Sequence, residues 1–186
     1  TNLKRELEGN DLLRQDLGPF EERQEAWSAG TLVIPKYGAR ITAISTEQSI
    51  RGLRHGSFRP DLIICDDLED LASVKTHEGR QKTQQWFLGD VVPCGDKGTK
   101  IVVIGNMLQE DSLHMRLKNE ISSGTRDGVY RQYPLLDDKG RPTWPGKFKT
   151  SDDVVVLQRQ IADVGAWNRE YLLRIISNNE RVIHPE

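Results

Sequence analysis

Cysteine, methionine and aromatic residues are scarce in this 186-residue chain, which holds two Cys, two Met and 6% aromatics. Two thiols, Cys65 and Cys94, make neither a disulfide framework nor a zinc site, so both are expected as reduced thiols of a cytoplasmic protein. No apolar run approaches the roughly 18 residues of a membrane span, and the N-terminal residues hold no signal-peptide core. A formal net charge of −2 excludes a general basic signature. Contact with nucleic acid would have to come from local patches. No Ser or Cys lies in a nucleophile elbow. The four histidines, His55, His77, His114 and His184, show no ligand spacing and are expected at the surface. A Walker A phosphate loop, G-x-x-x-x-G-K-S/T, is absent too. The nearest approach, residues 95–100, lacks that spacing and precedes a strand rather than a helix, so it reads as a turn. Internal repeats and low-complexity tracts are missing as well.

What is present is a globular pattern, with 36% hydrophobic and 29% charged residues. The length suits one domain, or one domain with a small appendage. The chain opens inside a helical pattern, Leu3 and Leu7 being four apart, without an initiating Met, and stops at His184-Pro185-Glu186. Both ends are therefore expected to be cut from a longer protein.

Residues 2–17 and 20–29 read as two short helices broken at Gly18-Pro19. Residues 31–35 and 40–45 are β-branched runs around Lys36-Tyr37-Gly38-Ala39, the pattern of a hairpin. A loop rich in Gly and Arg follows over 49–60. Residues 62–65 form an apolar run bounded by Pro60 and acids, which predicts a buried strand of a parallel sheet. Thr76 is placed to cap a helix that carries Trp86, Phe87 and Val91 toward the core and ends before Pro93. A second buried strand is expected over 100–104. A helix starting at Asp111 or Ser112 then presents Leu113, Leu117 and Ile121. Residues 129–133 read as a strand and 137–149 as a surface loop. Ser151 is expected to cap a helix with Val154, Leu157, Ile161 and Val164 on one face, ended by Gly165, before a last helix with Trp167 and Tyr171. Strands alternating with helices predict an α/β fold with a mainly parallel sheet.

The chemistry concentrates at 62–70, where Leu62-Ile63-Ile64-Cys65 runs into Asp66, Asp67, Glu69 and Asp70. Carboxylates at the C-terminal end of a parallel strand lie where open α/β sheets bind ligands. Asp66 can hold Mg2+ through its water shell, and Asp67 can orient or deprotonate a water; Glu69 competes for that second role. The plain alternative is an acidic turn that caps the next helix. Arg51, Arg54 and Arg59 in the preceding loop can neutralise phosphate charge, or else be solvated or paired with nearby acids. Asn106, after the second strand, can contact a γ-phosphate or a water, or simply start a turn.

In this order the motifs resemble the large terminase subunit of tailed bacteriophages. The resemblance rests on "LLRQDLGPF", "SIRGLRHGSFRPDLIICDDLED", "KIVVIGNMLQEDSLHMRL" and "VGAWNREYLLRIIS", and so spans nearly the whole chain. It implies a P-loop NTPase-like sheet, incomplete here because Walker A is absent. Residues 1–180 would be the C-terminal part of an ATPase domain and 181–186 the start of a linker toward a nuclease domain. ATP and Mg2+ are the implied cofactors. Asp66 matches the Walker B metal carboxylate, Asp67 the catalytic carboxylate with Glu69 as its rival, and Arg51 an arginine acting in trans. Asn106 falls in the coupling motif, where many relatives carry Thr, and with Arg54 completes the implied nucleotide contacts. The implied partners are double-stranded DNA, the portal protein, the small terminase subunit and sister subunits in a ring, with no membrane. The implied location is the host cytoplasm, at the procapsid portal. These residues alone are expected to hydrolyse ATP negligibly. Two readings compete: a metal-dependent nuclease using Asp66, Asp67 and a further acid such as Asp111, and an interaction module in which the acids only cap a helix.

Overall fold

The computed structural model describes residues 2–20, 26–28, 30–46 and 48–175. They divide into two compact units, Thr1–Pro60 and Asp61–Glu186.

In the first unit the single helix expected over 2–17 is two, α1 (Asn2–Gly9) and α2 (Asp11–Leu17). The break falls at Gly9-Asn10, a pair of weak helix formers. Asn10 adopts an extended backbone, and its side chain accepts the Leu13 N–H at 3.2 Å as the cap of α2. The expected hairpin is present: β1 (Thr31–Ile34) and β2 (Ala39–Thr42) pair antiparallel, with Leu32 opposite Ile41. Lys36 Nζ and Tyr37 OH, on the connecting turn, donate to the Leu17 carbonyl at 3.1 and 2.6 Å. They meet the partial negative charge at the end of α2. The helix expected over 20–29 falls largely outside the described residues. Within it, residues 26–28 run against β1, Trp27 bridging to Leu32.

The second unit is built on β3 (Leu62–Asp66) and β4 (Lys100–Ile104). These pair in parallel, with Leu62 opposite Lys100 and Asp66 opposite Ile104. A parallel pair needs a crossover, and α3 (His77–Trp86) supplies it, capped as expected by Thr76, whose hydroxyl accepts the Gly79 N–H at 3.1 Å. The helical path does not stop before Pro93. It passes through a wider π-type turn, Phe87–Val91, into the short α4 (Val92–Cys94). In that turn the Val92 N–H reaches back to the Phe87 carbonyl. Pro93, at the start of the next turn, has no N–H to satisfy.

The two strands are not buried on both faces. Cys65 is 5% exposed but Ile64 is 61% exposed, and Leu62, Val102 and Ile104 are exposed with it. A parallel strand is buried twice only when layers cover both faces. Among the described residues the sheet has two strands and one of its faces stays open.

Downstream lie α5 (Leu113–Ser122), α6 (Ser151–Ile161) and α7 (Val164–Ala166), the last running into a π-type turn, Trp167–Tyr171. Thr150, not Ser151, caps α6 in a reciprocal box: its hydroxyl accepts the Asp153 N–H, and Asp153 Oδ2 accepts the Thr150 N–H at 2.9 Å. The bond from the Thr150 backbone leads the causes that hold the Asp153 carboxyl below the usual range. The helix ends at Ile161 rather than Gly165. Ala162 takes a left-handed conformation and Asp163 begins a new cap, accepting the Ala166 N–H at 2.5 Å. Val164 is consequently exposed. Leu135, Phe148, Val154 and Trp167 form a core here, so the loop expected at the surface over 137–149 buries Phe148. Residues 129–133 are not a strand: Val129 and Tyr133 are exposed and no described segment pairs with them.

Candidate functional site

The site lies where β3 and β4 end. Beyond Asp66 the ladder makes one more bond, the Asp67 N–H donating to the Ile104 carbonyl at 3.1 Å. Asp67 then turns the chain with a backbone φ of 45°. Left-handed backbone is uncommon for a residue with a Cβ, and Asp is among the few such residues that tolerate it. Asp66 is exposed and shares the open sheet face with Leu62 and Ile64; Asp67 is exposed as well. The two neighbouring carboxylates thus stand at the strand end, free of a burial penalty.

Gly105 follows β4 and lies beside Asp67. A Cβ there would sit 3.4 Å from Asp67 Oδ1 and 2.7 and 2.9 Å from Cε1 and Nε2 of His114. Only glycine allows the carboxylate loop, the end of β4 and this ring to come so close. His114 is not a surface histidine: its side chain is 11% exposed, in the first turn of α5. The burial was not legible in the sequence, because the residues that enclose the ring, Glu69 and Gly105, are distant from it in the chain. Its position becomes meaningful only once α5 meets the strand ends.

Glu69 does not face solvent with Asp67. Its side chain is 1% exposed. Oε1 accepts the Leu113 N–H at 2.9 Å, and Oε2 stands 3.6 Å from His114 Nδ1. A carboxylate at a helix N-terminus meets unpaired amides and favourable partial charge, which offsets part of its desolvation. Four buried polar atoms here have no hydrogen-bond partner: Glu69 Oε2, Ser112 Oγ, and Nδ1 and Nε2 of His114. Leaving a buried polar atom unpaired costs about 1–3 kcal/mol. The cluster is therefore held against its own solvation preference.

Asn106 is drawn elsewhere, its amide donating to Glu170 Oε2 at 2.5 Å; Glu170 Oε1 in turn takes Arg169 Nε at 2.7 Å. This ties the end of β4 to the last helical turn. Asp111 is held by two guanidinium groups, Arg116 Nη2 at 2.6 Å and Arg80 Nε at 3.4 Å. Desolvation raises its carboxyl pKa, but the Arg116 bond and charge, with Arg80, outweigh it and leave it below the usual range. Asp70 closes the turn after the strand. Its carboxylate accepts the Ser73 N–H at 2.7 Å, and this bond leads the causes that keep its pKa low. Burial pushes the Cys65 thiol up, which suits an inert core cysteine.

Arg51, Arg54 and Arg59 belong to the first unit. Arg51 and Arg54 are exposed, on a loop bent twice at left-handed glycines, Gly52 and Gly56. The Arg54 carbonyl accepts from Arg40 Nη1 at 3.4 Å.

Among the described residues no group of three or more His, Cys, Asp or Glu could hold a metal ion by itself. Two adjacent exposed carboxylates nonetheless suit Mg2+, which binds through one or two carboxylates and takes its other oxygens from water and phosphate. Among the same residues no helix is long and apolar enough to cross a membrane. Comparison with family models, with curated proteins and with solved structures returns no match.

Proposed function

We propose that these residues belong to the ATP-hydrolysing motor of a phage DNA-packaging machine, the large terminase subunit, within a P-loop-type sheet. The observation that supports the reading is the parallel β3–β4 pair, which sets Asp66 opposite Ile104 and Asp67 beside Gly105 at one strand end. Phosphoryl transfer asks for charge and placement more than for covalent chemistry. Asp66 and Asp67 are exposed where phosphate would approach. Mg2+, when bound, would neutralise phosphate oxygens; Asp66 would hold it, and Asp67 would orient the attacking water. Glu69 is less suited to that second role, because its carboxylate is buried and spent on α5. For the nuclease alternative, Asp111 is a less ready third acid, since it is paired with Arg80 and Arg116. Double-stranded DNA, the portal protein, the small subunit and sister subunits remain the partners this reading carries.

The test is ATP hydrolysis by the product of the whole reading frame that encodes these residues. Asp66→Ala is expected to abolish Mg2+-dependent turnover. Asp67→Asn is expected to spare nucleotide binding and lower turnover by about 10²-fold or more. Turnover that survives Asp66→Ala, or none in the unaltered protein, overturns the proposal. A large loss in Glu69→Gln with little in Asp67→Asn would move the catalytic role to Glu69.

A further inference from the structure

We infer that His114 is the positioning residue of the Asp67 carboxylate, clamped from behind by Glu69. The inference rests on the reading above only for why Asp67 matters; the clamp stands on geometry. Asp67 is an exposed residue with left-handed backbone at the end of a two-stranded sheet. One ladder bond, to the Ile104 carbonyl, holds its amide. Strained backbone of this kind persists where its surroundings over-determine it.

The surroundings are His114 and Gly105. The His114 ring packs so tightly on Gly105 that a methyl group there would fall 2.7 Å from Cε1, and Gly105 is in turn the neighbour of Asp67 Oδ1. Behind the ring, Glu69 Oε2 faces Nδ1 at 3.6 Å while Oε1 grips the first turn of α5. A line of contacts thus runs from the α5 N-terminus through Glu69, His114 and Gly105 to Asp67. Both ring nitrogens are buried without hydrogen-bond partners. The ring is packed against Gly105, and it acts by holding that residue in place.

The test is residue-resolved amide hydrogen exchange in the full chain. In His114→Ala, exchange of the Asp67 amide is expected to accelerate about tenfold, while the β3–β4 ladder amides keep their rates, as local opening allows. Gly105→Ala alone should accelerate it, since methyl and ring collide. Unchanged Asp67 exchange in His114→Ala, or a rise shared equally by all ladder amides, overturns the inference. If His114→Ala does not fold, His114→Gln and the single Gly105→Ala carry the same comparison. Mn2+-induced broadening of the Asp66 and Asp67 signals is read in parallel. Its absence in the unaltered chain counts against the metal-site reading, whereas the exchange pattern alone decides the clamp.

Discussion

Glu69 and Leu113 are joined by one hydrogen bond, in which Glu69 Oε1 accepts the Leu113 N–H at 2.9 Å. Ser112 stands at the cap position of α5 but makes no side-chain cap bond. The helix is capped instead by a carboxylate from the loop after β3. That bond fastens the acidic loop to α5 and holds Asp67 and His114 within one cluster. It also divides the labour among the acids, burying Glu69 and leaving Asp66 and Asp67 in the open.

Removing this cap should be felt in stability. Glu69→Ala leaves the Leu113 N–H buried without an acceptor, a loss of about 1–3 kcal/mol. Glu69→Gln keeps an acceptor oxygen and should cost less. Urea denaturation of both variants checks the order; equal loss would mean that the charge, rather than the acceptor, is what matters.

The Asp111 network should shape the acid limb of the stability curve. Its carboxyl is depressed in the folded state, where the Arg116 and Arg80 interactions outweigh burial. A depressed carboxyl contributes stability that is fully present above its unfolded pKa, about 3.9, and is lost as pH falls through the folded value. Asp111→Asn removes that dependence, so its stability should fall less steeply than wild type below about pH 4. Thermal melts across that range are the measurement. Parallel acid limbs would contradict the expectation.

The open face of β3 and β4 should drive association. Leu62, Ile64, Val102 and Ile104 are exposed together on a sheet whose outer edges are unpaired among the described residues, a combination that promotes sticking. Ile64→Lys with Val102→Lys should reduce self-association in sedimentation velocity. The urea midpoint should move little, because both side chains are already exposed. A large stability loss would show that the face is covered in solution.

Arg51 is expected to serve a neighbouring subunit if the motor reading holds. Arg51→Ala should leave nucleotide binding nearly intact and depress hydrolysis in the assembled ring, where a trans-acting arginine is worth up to about 10³–10⁵ in rate. Mixing Arg51→Ala with Asp66→Ala subunits should restore part of the activity, since each supplies what the other lacks. No recovery at any ratio, with assembly verified, would assign Arg51 to its own subunit or to the loop.

Local pattern was enough for several elements. The apolar runs at 62–65 and 100–104 announced two strands because β-branched residues bounded by turn formers have few other uses. The Thr76 cap and the hairpin around Lys36-Tyr37 followed from side-chain and turn chemistry that acts within a few residues. Where neighbouring signals competed, sequence placed boundaries less well. Thr150 and Ser151 both make good caps, and only the reciprocal bonds with Asp153 select the first.

What sequence by itself determined is the strand pair, the hairpin, the main helices and the acidic strand end, because propensity, capping and apolar period are local properties of the chain. Tertiary structure alone decided the rest. The run at 62–65 reads alike whether one face or two is covered, since coverage depends on which layers exist around it. Residues 129–133 have strand-forming side chains but no partner edge among the described residues, and a strand without a ladder leaves its backbone to water. Glu69 and Asp67 are both acids two residues apart, yet one caps α5 from inside and the other stands exposed. That difference, like the burial of His114 against Gly105, arises when α5 docks on the strand ends. Contacts between residues so distant in the chain are set by how elements pack, a constraint that no local window contains.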